Sequence, residues 1–491
     1  MVRQLISNLN LMWLMSYISF VRSFSTSGKT FSLKRSKTLI TQSASFSSKI
    51  SISDAYDGGN IEHVNQNKVV TEGKQEKNLL VSLRIKPDPY TELEKVSHMQ
   101  YFSFRSTLHT PDDESNDDHD DKISVKYQIL NAGEASYSKA WDGSTVFYSK
   151  TVGDPDSWRR EETTRFEHGS LVWDHVYSKN SESVYFSYFP PFSYARHLDL
   201  VEKCSKYSDV FSLGHTLEGR ELECVRVGTG ESIGWIIHRQ HPGEHMAEFY
   251  AEGLLKRLVG YDSQGDTDGL VRRLLSMYTL YVVPSMNPDG AAAGHLRTNA
   301  GGANLNREWC DSVDKDYSAP SLKRSPEVYH VLEKMKETGC NVFCDIHGDE
   351  EIPYNFLAQP CVPNWGLRLK SLHGAFLAAY CRANPDMQQD FGYEPSEFVE
   401  GDTILNIAND QIAHRFDCLS VTLEMPFKDC WSNPDAERGW SPARSRSLGA
   451  SLCEPLFYIH SYLHLDEDDE TFFKKFPEHD QYILPTSLYR R

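Results

Sequence analysis

The first 53 residues contain no aspartate or glutamate; Asp54 is the first acid. Elsewhere it is basic residues that are scarce. Lys and Arg total 51 against 69 Asp and Glu, for a net charge of −18. An acidic chain has no general basic face for phosphates, which excludes nucleic acid as an expected partner. The ten cysteines are scattered and include no CxxC pair. That spacing fits reduced thiols better than a disulfide scaffold. Cys340 and Cys344 lie in apolar surroundings and read as buried small hydrophobes. There is also no uninterrupted apolar stretch long enough for a convincing membrane span. Leu5 to Val21 is uncharged, but Ser7, Asn8, Asn10, Ser16 and Ser19 dilute it. Stable membrane insertion is therefore not expected.

What is present begins with 39% hydrophobic and 24% charged residues over 491 positions, ordinary for globular protein and long enough for two or three domains. Residues 1–50 carry Arg3, Arg22, Lys29, Lys34, Arg35, Lys37 and Lys49 with abundant serine, the composition of an organellar transit peptide. Arg22-Ser-Phe-Ser-Thr26 resembles a mitochondrial processing site, so a mitochondrial address is expected, with plastid or cytosol as the alternatives. Loss of these seven charges would take the net charge from −18 to −25.

Residues 51–188 read as β structure. Asn78–Lys86, His98–Ser106, Lys122–Leu130, Ser144–Lys150, Thr163–Phe166, Leu171–Tyr177 and Ser183–Phe189 are short runs rich in Val, Ile, Tyr, Phe and Trp. His168-Gly169 predicts a hairpin turn, and the set predicts a β-sandwich. The acidic segment 111–121 lacks the Gly and terminal Glu of an EF-hand and reads as a solvated loop. Phe189-Pro-Pro-Phe-Ser193 marks a boundary. From there to residue 463 apolar runs alternate with helical patterns, as in an α/β domain. Strands are expected at Glu223–Gly228, Gly234–Gln240, Leu275–Val283, Asn341–His347 and Cys418–Met425. Helices are expected at Glu244–Val259, from Pro326 with Ser325 as N-cap, at Arg368–Arg382 and at Leu448–Leu463. Residues 464–491 form an acidic, then basic, tail.

The chemistry centres on His241-Pro-Gly-Glu244, where an apolar run ends. A histidine and a carboxylate three residues apart can grip one metal ion, and Asp345-Ile-His347-Gly348 ends another apolar run. His241, Glu244 and His347 would provide two imidazoles and one carboxylate, the ligand set of a catalytic zinc with a position left for water. His241 to His245 also fits the HxxEH pattern of inverzincins, but Pro242-Gly243 cannot lie inside the helix that motif needs. Asn287-Pro-Asp-Gly290 reads as a turn. Arg297 and Asn306-Arg307, on a Gly-rich stretch, suit a carboxylate and a developing oxyanion. Glu424 lies inside the apolar strand Val421–Phe427, where a carboxylate needs a partner or a role as general base.

The order HPGE, NPDG, Arg, Asn-Arg, His-Gly and a strand glutamate resembles the zinc metallocarboxypeptidases, more closely the cytosolic carboxypeptidase, deglutamylase-type branch and its bacterial relatives. Tyr56–Glu62, Tyr101–Phe104 and Val184–Tyr194 resemble that branch's first domain, so the likeness covers roughly residues 54–463. It implies an N-terminal antiparallel β-sandwich followed by an α/β/α carboxypeptidase domain with a mixed central sheet. It implies one zinc per chain on His241, Glu244 and His347, and a peptide or protein C-terminus as substrate. Glu424 would be the general base, Arg297 would stabilise the oxyanion, and Asn306 and Arg307 would hold the terminal carboxylate. Arg415 is the candidate for accepting a substrate glutamate. Three positions depart from the family pattern. Asn304 stands where an Asp usually backs the first zinc histidine. No tyrosine occurs at 399–406, near where the digestive enzymes carry one. Asp349-Glu350-Glu351 replaces the usual histidine after His-Gly. The other readings are an amidohydrolase of the aspartoacylase type, acting on small N-acyl amino acids, and a binding protein that lost catalysis.

Overall fold

The computed structural model describes residues 49–69, 78–91, 97–109, 123–178, 182–311, 318–400 and 403–464. The acidic segment 111–121, expected to be a loop, the residues beyond 464 and the expected transit segment as far as Ser48 lie outside them. The leader's expected end at residue 50 falls inside a strand, Lys49–Ser53, whose Ile50 is buried against the first sheet.

Two five-stranded sheets make up the N-terminal layers. One joins Lys49–Ser53, Ser103–His109, Ser183–Ser187, Phe147–Ser149 and Arg159–Arg160, all antiparallel. The other joins Glu62–Val69, Asn78–Arg84, Ile123–Ile129, Ser170–Tyr177 and Arg165–Glu167, antiparallel except where Asn78–Arg84 meets Ile123–Ile129. Ile123, Val125, Tyr127 and Ile129 alternate inward along one strand, the period expected of a half-buried strand. Their face meets the other sheet through aromatic rings. Trp173 stacks on Tyr127 at 5.2 Å between centroids and touches Phe186 at 5.6 Å and Phe104 at 6.3 Å. The buried phenols of Tyr127 and Tyr177 are satisfied by each other and by Ser106. His168 and Gly169 both take left-handed backbone angles, φ 51° and 77°, the geometry of a tight two-residue hairpin turn. The strands Lys49–Ser53, Glu62–Val69 and Arg159–Arg160 were not foreseen.

The second half is built on a seven-stranded mixed sheet. Its order is Asp209–His215, Glu221–Val227, Tyr278–Val283, Ser232–His238, Val342–Ile346, Leu419–Glu424 and Phe356–Ala358. The four strands from Tyr278–Val283 to Leu419–Glu424 run parallel, and the outer ones antiparallel. Every residue of Val342–Ile346 and Leu419–Glu424 is buried, as strands covered on both faces must be. Helices His245–Val259, Leu367–Ala383 and Pro442–Ala450 pack on one face. Pro326–Thr338 and Ala408–Phe416 pack on the other. No described helix is long and apolar enough to cross a membrane.

Local chemistry explains where elements start and stop. Pro326 opens its helix and Val328, Val331, Leu332 and Met335 face the core. Ser325 holds the N-cap position, but its hydroxyl donates to Glu308 Oε2 at 3.0 Å instead of capping. The single helix expected over Leu448–Leu463 is two, Pro442–Ala450 and Cys453–Ile459, followed by a 3₁₀ turn. Pro455 has no N–H to give the carbonyl four residues back and would clash with it, so one helix cannot run through. Helices His245–Val259 and Pro442–Ala450 cross at paired glycines. A Cβ on Gly253 would sit 1.9 Å from the Arg446 carbonyl oxygen, and one on Gly449 2.1 Å from that of Tyr250. The two backbones touch because neither carries a side chain at the crossing.

The sandwich and the α/β half share one continuous core. Tyr188 stacks on Phe427 at 4.7 Å, and Tyr101 packs against the His245 ring at 4.9 Å.

Candidate metal centre

The parallel strands deliver their chemistry at their C-terminal ends, where open α/β sheets place their sites. His241 follows Ser232–His238, His347 follows Val342–Ile346, and Glu424 ends Leu419–Glu424. Arg239 turns the chain out of its strand in a left-handed conformation, φ 57°. Its buried guanidinium ties the turn down, donating to the Pro242 carbonyl at 2.9 Å and to Glu248 Oε2 at 2.6 Å. Glu244 precedes the helix as a non-helical N-cap, φ −86° and ψ 64°. The continuous helix an inverzincin requires is therefore absent here. His245 points elsewhere, accepting the Phe192 N–H at Nδ1.

His241 Nδ1 lies 2.6 Å from Glu244 Oε1, and His347 Nδ1 lies 2.8 Å from Glu244 Oε2. One ligand atom from each of the three falls within 4.8 Å of the others, and all three residues are buried. The outer ring nitrogens are engaged. His241 Nε2 donates to Asn304 Oδ1 at 3.0 Å. His347 Nε2 lies 2.9 Å from Asp345 Oδ1. With Nε2 turned outward on both rings, each presents Nδ1 to the same point. Two imidazole nitrogens and a carboxylate fit a zinc ion there.

The backing residues make the histidines unlike. His347, between Asp345 and Glu244, is held well above the usual histidine range although burial alone would lower it. His241 is pushed down to about 4 by burial and by the nearby charge of Arg297. Burial raises the Glu244 carboxyl, but the two histidines outweigh it and keep it ionised. Behind His347 the support continues. Gln240 Nε2 donates to Asp345 Oδ2 at 2.7 Å, Trp309 Nε1 donates to Gln240 Oε1 at 2.8 Å, and Asn287 Nδ2 donates to the Gln240 carbonyl at 3.0 Å. Asn287 also caps a short helix, Pro288–Ala293, so the expected turn at 287–290 opens a helix.

Two of the three, His241 and Glu244, line a cavity of about 380 Å³, as does Gly348, the neighbour of His347. Glu424, Arg297, Asn306 and Arg307 line the same cavity. Glu424 is 8% exposed, and its Oε2 has no hydrogen-bond partner among the described residues. Burial, then the carboxylates of Glu244, Asp349 and Glu350, raise its carboxyl well above the usual range, against the opposing pull of His347. The side-chain Oδ1 of Asn306 accepts the Ala408 N–H at 2.9 Å, which leaves its NH2 as the group that can donate to a bound carboxylate. Asp349 and Glu350 of the acidic trio line the cavity, whereas Glu351 is exposed.

One expectation is corrected. Arg415 does not line this cavity. It sits in the last turn of Ala408–Phe416, beside Cys310, Tyr329, Glu333 and Lys336. The residues of that helix that do line the cavity are Asn409 and Asp410, six and five positions earlier and so on a different side of the helix. No tyrosine stands at 399–406, but Tyr393 lines the cavity. Its hydroxyl donates to Asp349 Oδ2 at 2.6 Å and lies 3.4 Å from Glu424 Oε1. A fixed spacing from Glu424 could not find it, because it stands outside regular structure between two helices. Tyr137, from the sandwich, also lines the cavity and accepts Arg297 Nη1 at 3.0 Å. Nothing in the sequence pattern singles it out.

Comparison with known proteins divides the chain in the same two parts. Residues 194–431 match the zinc carboxypeptidase family and residues 52–189 match the cytosolic carboxypeptidase N-terminal domain. A metallo-carboxypeptidase from Pseudomonas aeruginosa, solved in complex with (2-guanidinoethylmercapto)succinic acid, is 35% identical with a TM-score of 0.70, covering 84% of this chain and 100% of that one. An uncharacterized protein of Zymomonas mobilis is 36% identical over 403 residues, 82% of this chain and 94% of that protein. Human cytosolic carboxypeptidase 4 is 29% identical over 214 residues, 38% of this chain but only 18% of that protein.

Proposed function

Since the chain belongs to the zinc carboxypeptidase family and carries the N-terminal domain of its cytosolic branch, we propose that it removes the C-terminal residue of peptides or proteins. The observation that supports this most is the shared cavity. It brings His241 and Glu244 of the candidate metal centre together with the buried Glu424 carboxyl, Arg297 and the Asn306-Arg307 pair.

In this reading His241, Glu244 and His347 hold one zinc, which supplies Lewis acidity toward water and toward the scissile carbonyl. Glu424 takes the proton from water and passes it to the leaving amine. Arg297 donates to the carbonyl oxygen as negative charge develops there. Arg307 and the NH2 of Asn306 hold the terminal carboxylate, which confines cleavage to the last residue. Tyr393, beside Glu424, closes the same space.

The far end of the cavity bears on which residue is released. Strand residues 422 and 424 face the same way, so Thr422 lies about 7 Å from the Glu424 level. Around it stand Ala358, Cys361, His373, Asn409 and Asp410. Burial pushes the Asp410 carboxyl up to about 6. The cavity's arginines, Arg297 and Arg307, are assigned to the oxyanion and the carboxylate, and Arg415 is elsewhere. Asp410 accepts the Cys361 N–H at 2.8 Å and feels the charge of Arg307; a C-terminal glutamate would add a second carboxylate with no further arginine to meet it, so neutral and basic C-terminal residues are favoured over acidic ones.

The test is a peptide library incubated with zinc-loaded wild type and with Glu424→Gln, read by mass spectrometry beside zinc analysis. Loss of single C-terminal residues by wild type alone is expected. Bound zinc without trimming would sink the proposal, and turnover of N-acyl amino acids alone would move it to the aspartoacylase type. We also propose mitochondrial import, on the acid-free basic leader. Sequencing the mature N-terminus is expected to place it after Arg22 and before Lys49, and an intact Met1 would refute import.

A further inference from the structure

The β-sandwich reaches across to the segment that carries Arg297. Asp88 lies just beyond the strand Asn78–Arg84 and is buried. Its Oδ1 accepts the Leu296 N–H at 2.7 Å. Its Oδ2 accepts the Arg297 N–H at 2.8 Å, the Thr298 N–H at 2.9 Å and the Thr298 hydroxyl at 3.1 Å. One carboxylate thus meets three successive backbone donors more than 200 residues away in sequence. A buried carboxylate is tolerated only when so satisfied, and charge-assisted bonds of this kind are the strong ones. Asn60 Nδ2 donates to the Gly294 carbonyl at 3.0 Å, and the Gly58 N–H to that of Ala292 at 2.9 Å. The backbone approaching Arg297 is therefore held by the sandwich. At the other end of the side chain, the Tyr137 hydroxyl accepts from the guanidinium.

We propose that Asp88 and Tyr137 are positioning residues of the reaction: Asp88 fixes the backbone from Leu296 to Thr298, Tyr137 fixes the guanidinium, and together they aim Arg297 at the scissile carbonyl before substrate arrives. This rests on the carboxypeptidase reading and gives the sandwich a part in catalysis. Electrostatic stabilisation works when the donor needs no rearrangement at the moment of reaction, which is what fixing both ends of Arg297 provides.

The experiment is a pair of double-mutant cycles on the full chain, Asp88→Asn with Arg297→Ala and Tyr137→Phe with Arg297→Ala, with kcat and KM measured on one peptide. In the wild-type background each single change is expected to lower kcat about tenfold, with KM moving less than about threefold. In the Arg297→Ala background the same changes should cost nothing further in kcat, because what they position is gone. Equal losses in both backgrounds, or an unchanged kcat for Tyr137→Phe, would overturn the proposal. Hydrogen exchange supplies a readout independent of turnover. The amides of Leu296, Arg297 and Thr298 should exchange faster in Asp88→Asn than in wild type, and unchanged exchange would overturn the role of Asp88. If Asp88→Asn fails to fold, the Tyr137→Phe cycle decides alone. A wild type that binds zinc but trims no peptide would instead count against the carboxypeptidase reading, leaving the exchange result to stand for the clamp.

Discussion

The two ends of the cavity are built differently. At the metal end His241, His347 and Glu424 stand at the tips of parallel strands whose residues are buried on both faces. At the far end, beside Thr422 and Ala358 of the sheet and His373 of Leu367–Ala383, lining comes from a loop, Gln359 to Cys361, and from the first turns of the helix Ala408–Phe416. Strand tips are fixed by the core beneath them. A loop and a helix start can change residue by residue without disturbing the sheet. The first end therefore suits chemistry common to every substrate, and the second suits choice among substrates.

That contrast can be broken by mutation. The largest effect is expected for Glu424→Gln, about 10²–10⁴-fold in kcat for every peptide alike; a loss confined to some C-terminal residues would deny the division of labour. Arg297→Ala should cost about 10²–10³-fold in kcat, again regardless of the residue released, as for loss of an oxyanion donor. A smaller effect separates the two histidines. Asp345→Asn should weaken zinc binding about 10–100-fold, while Asn304→Asp should strengthen it, since carboxylate backing makes a histidine a better ligand. Competition against a fluorescent chelator measures both, and equal responses would erase the asymmetry seen in their surroundings.

The smallest effect belongs to the far end. The ratio of kcat/KM for C-terminal Lys over C-terminal Glu should rise as pH passes upward through about 6, where Asp410 loses its proton and becomes an anion. Asp410→Asn should flatten that rise and lower the ratio about tenfold, the equivalent of about 1.4 kcal/mol, with little change for a C-terminal Ala. A ratio that ignores pH in wild type would remove Asp410 from the choice of substrate.

The same contrast governs what could be read without a structure. His241, Glu244, His347 and Glu424 were legible because apolar runs announce buried strands and polar residues at their ends need a reason to be there. Pro242-Gly243 further showed that the first two ligands straddle a turn. Arg415 was misplaced because distance along the chain from Glu424 says nothing about which side of a helix a residue occupies. Tyr393 was missed for the related reason that irregular chain obeys no fixed spacing. Asp88 and Tyr137 left no trace at all: their partners are about 160 to 210 positions away, and no periodicity encodes such a meeting. The edge strands Asp209–His215 and Phe356–Ala358 escaped notice because they are half exposed or very short.

The glycine crossing has a consequence for motion. Packed helices commonly accommodate ligands by sliding past one another by an ångström or two. Where Gly253 and Gly449 bring two backbones into contact, a slide in either direction would drive the next side chains into main-chain atoms. The helix that starts immediately after Glu244 is thereby latched along its length. A shift of this helix is therefore disfavoured, and Glu244 at its start stays where it is.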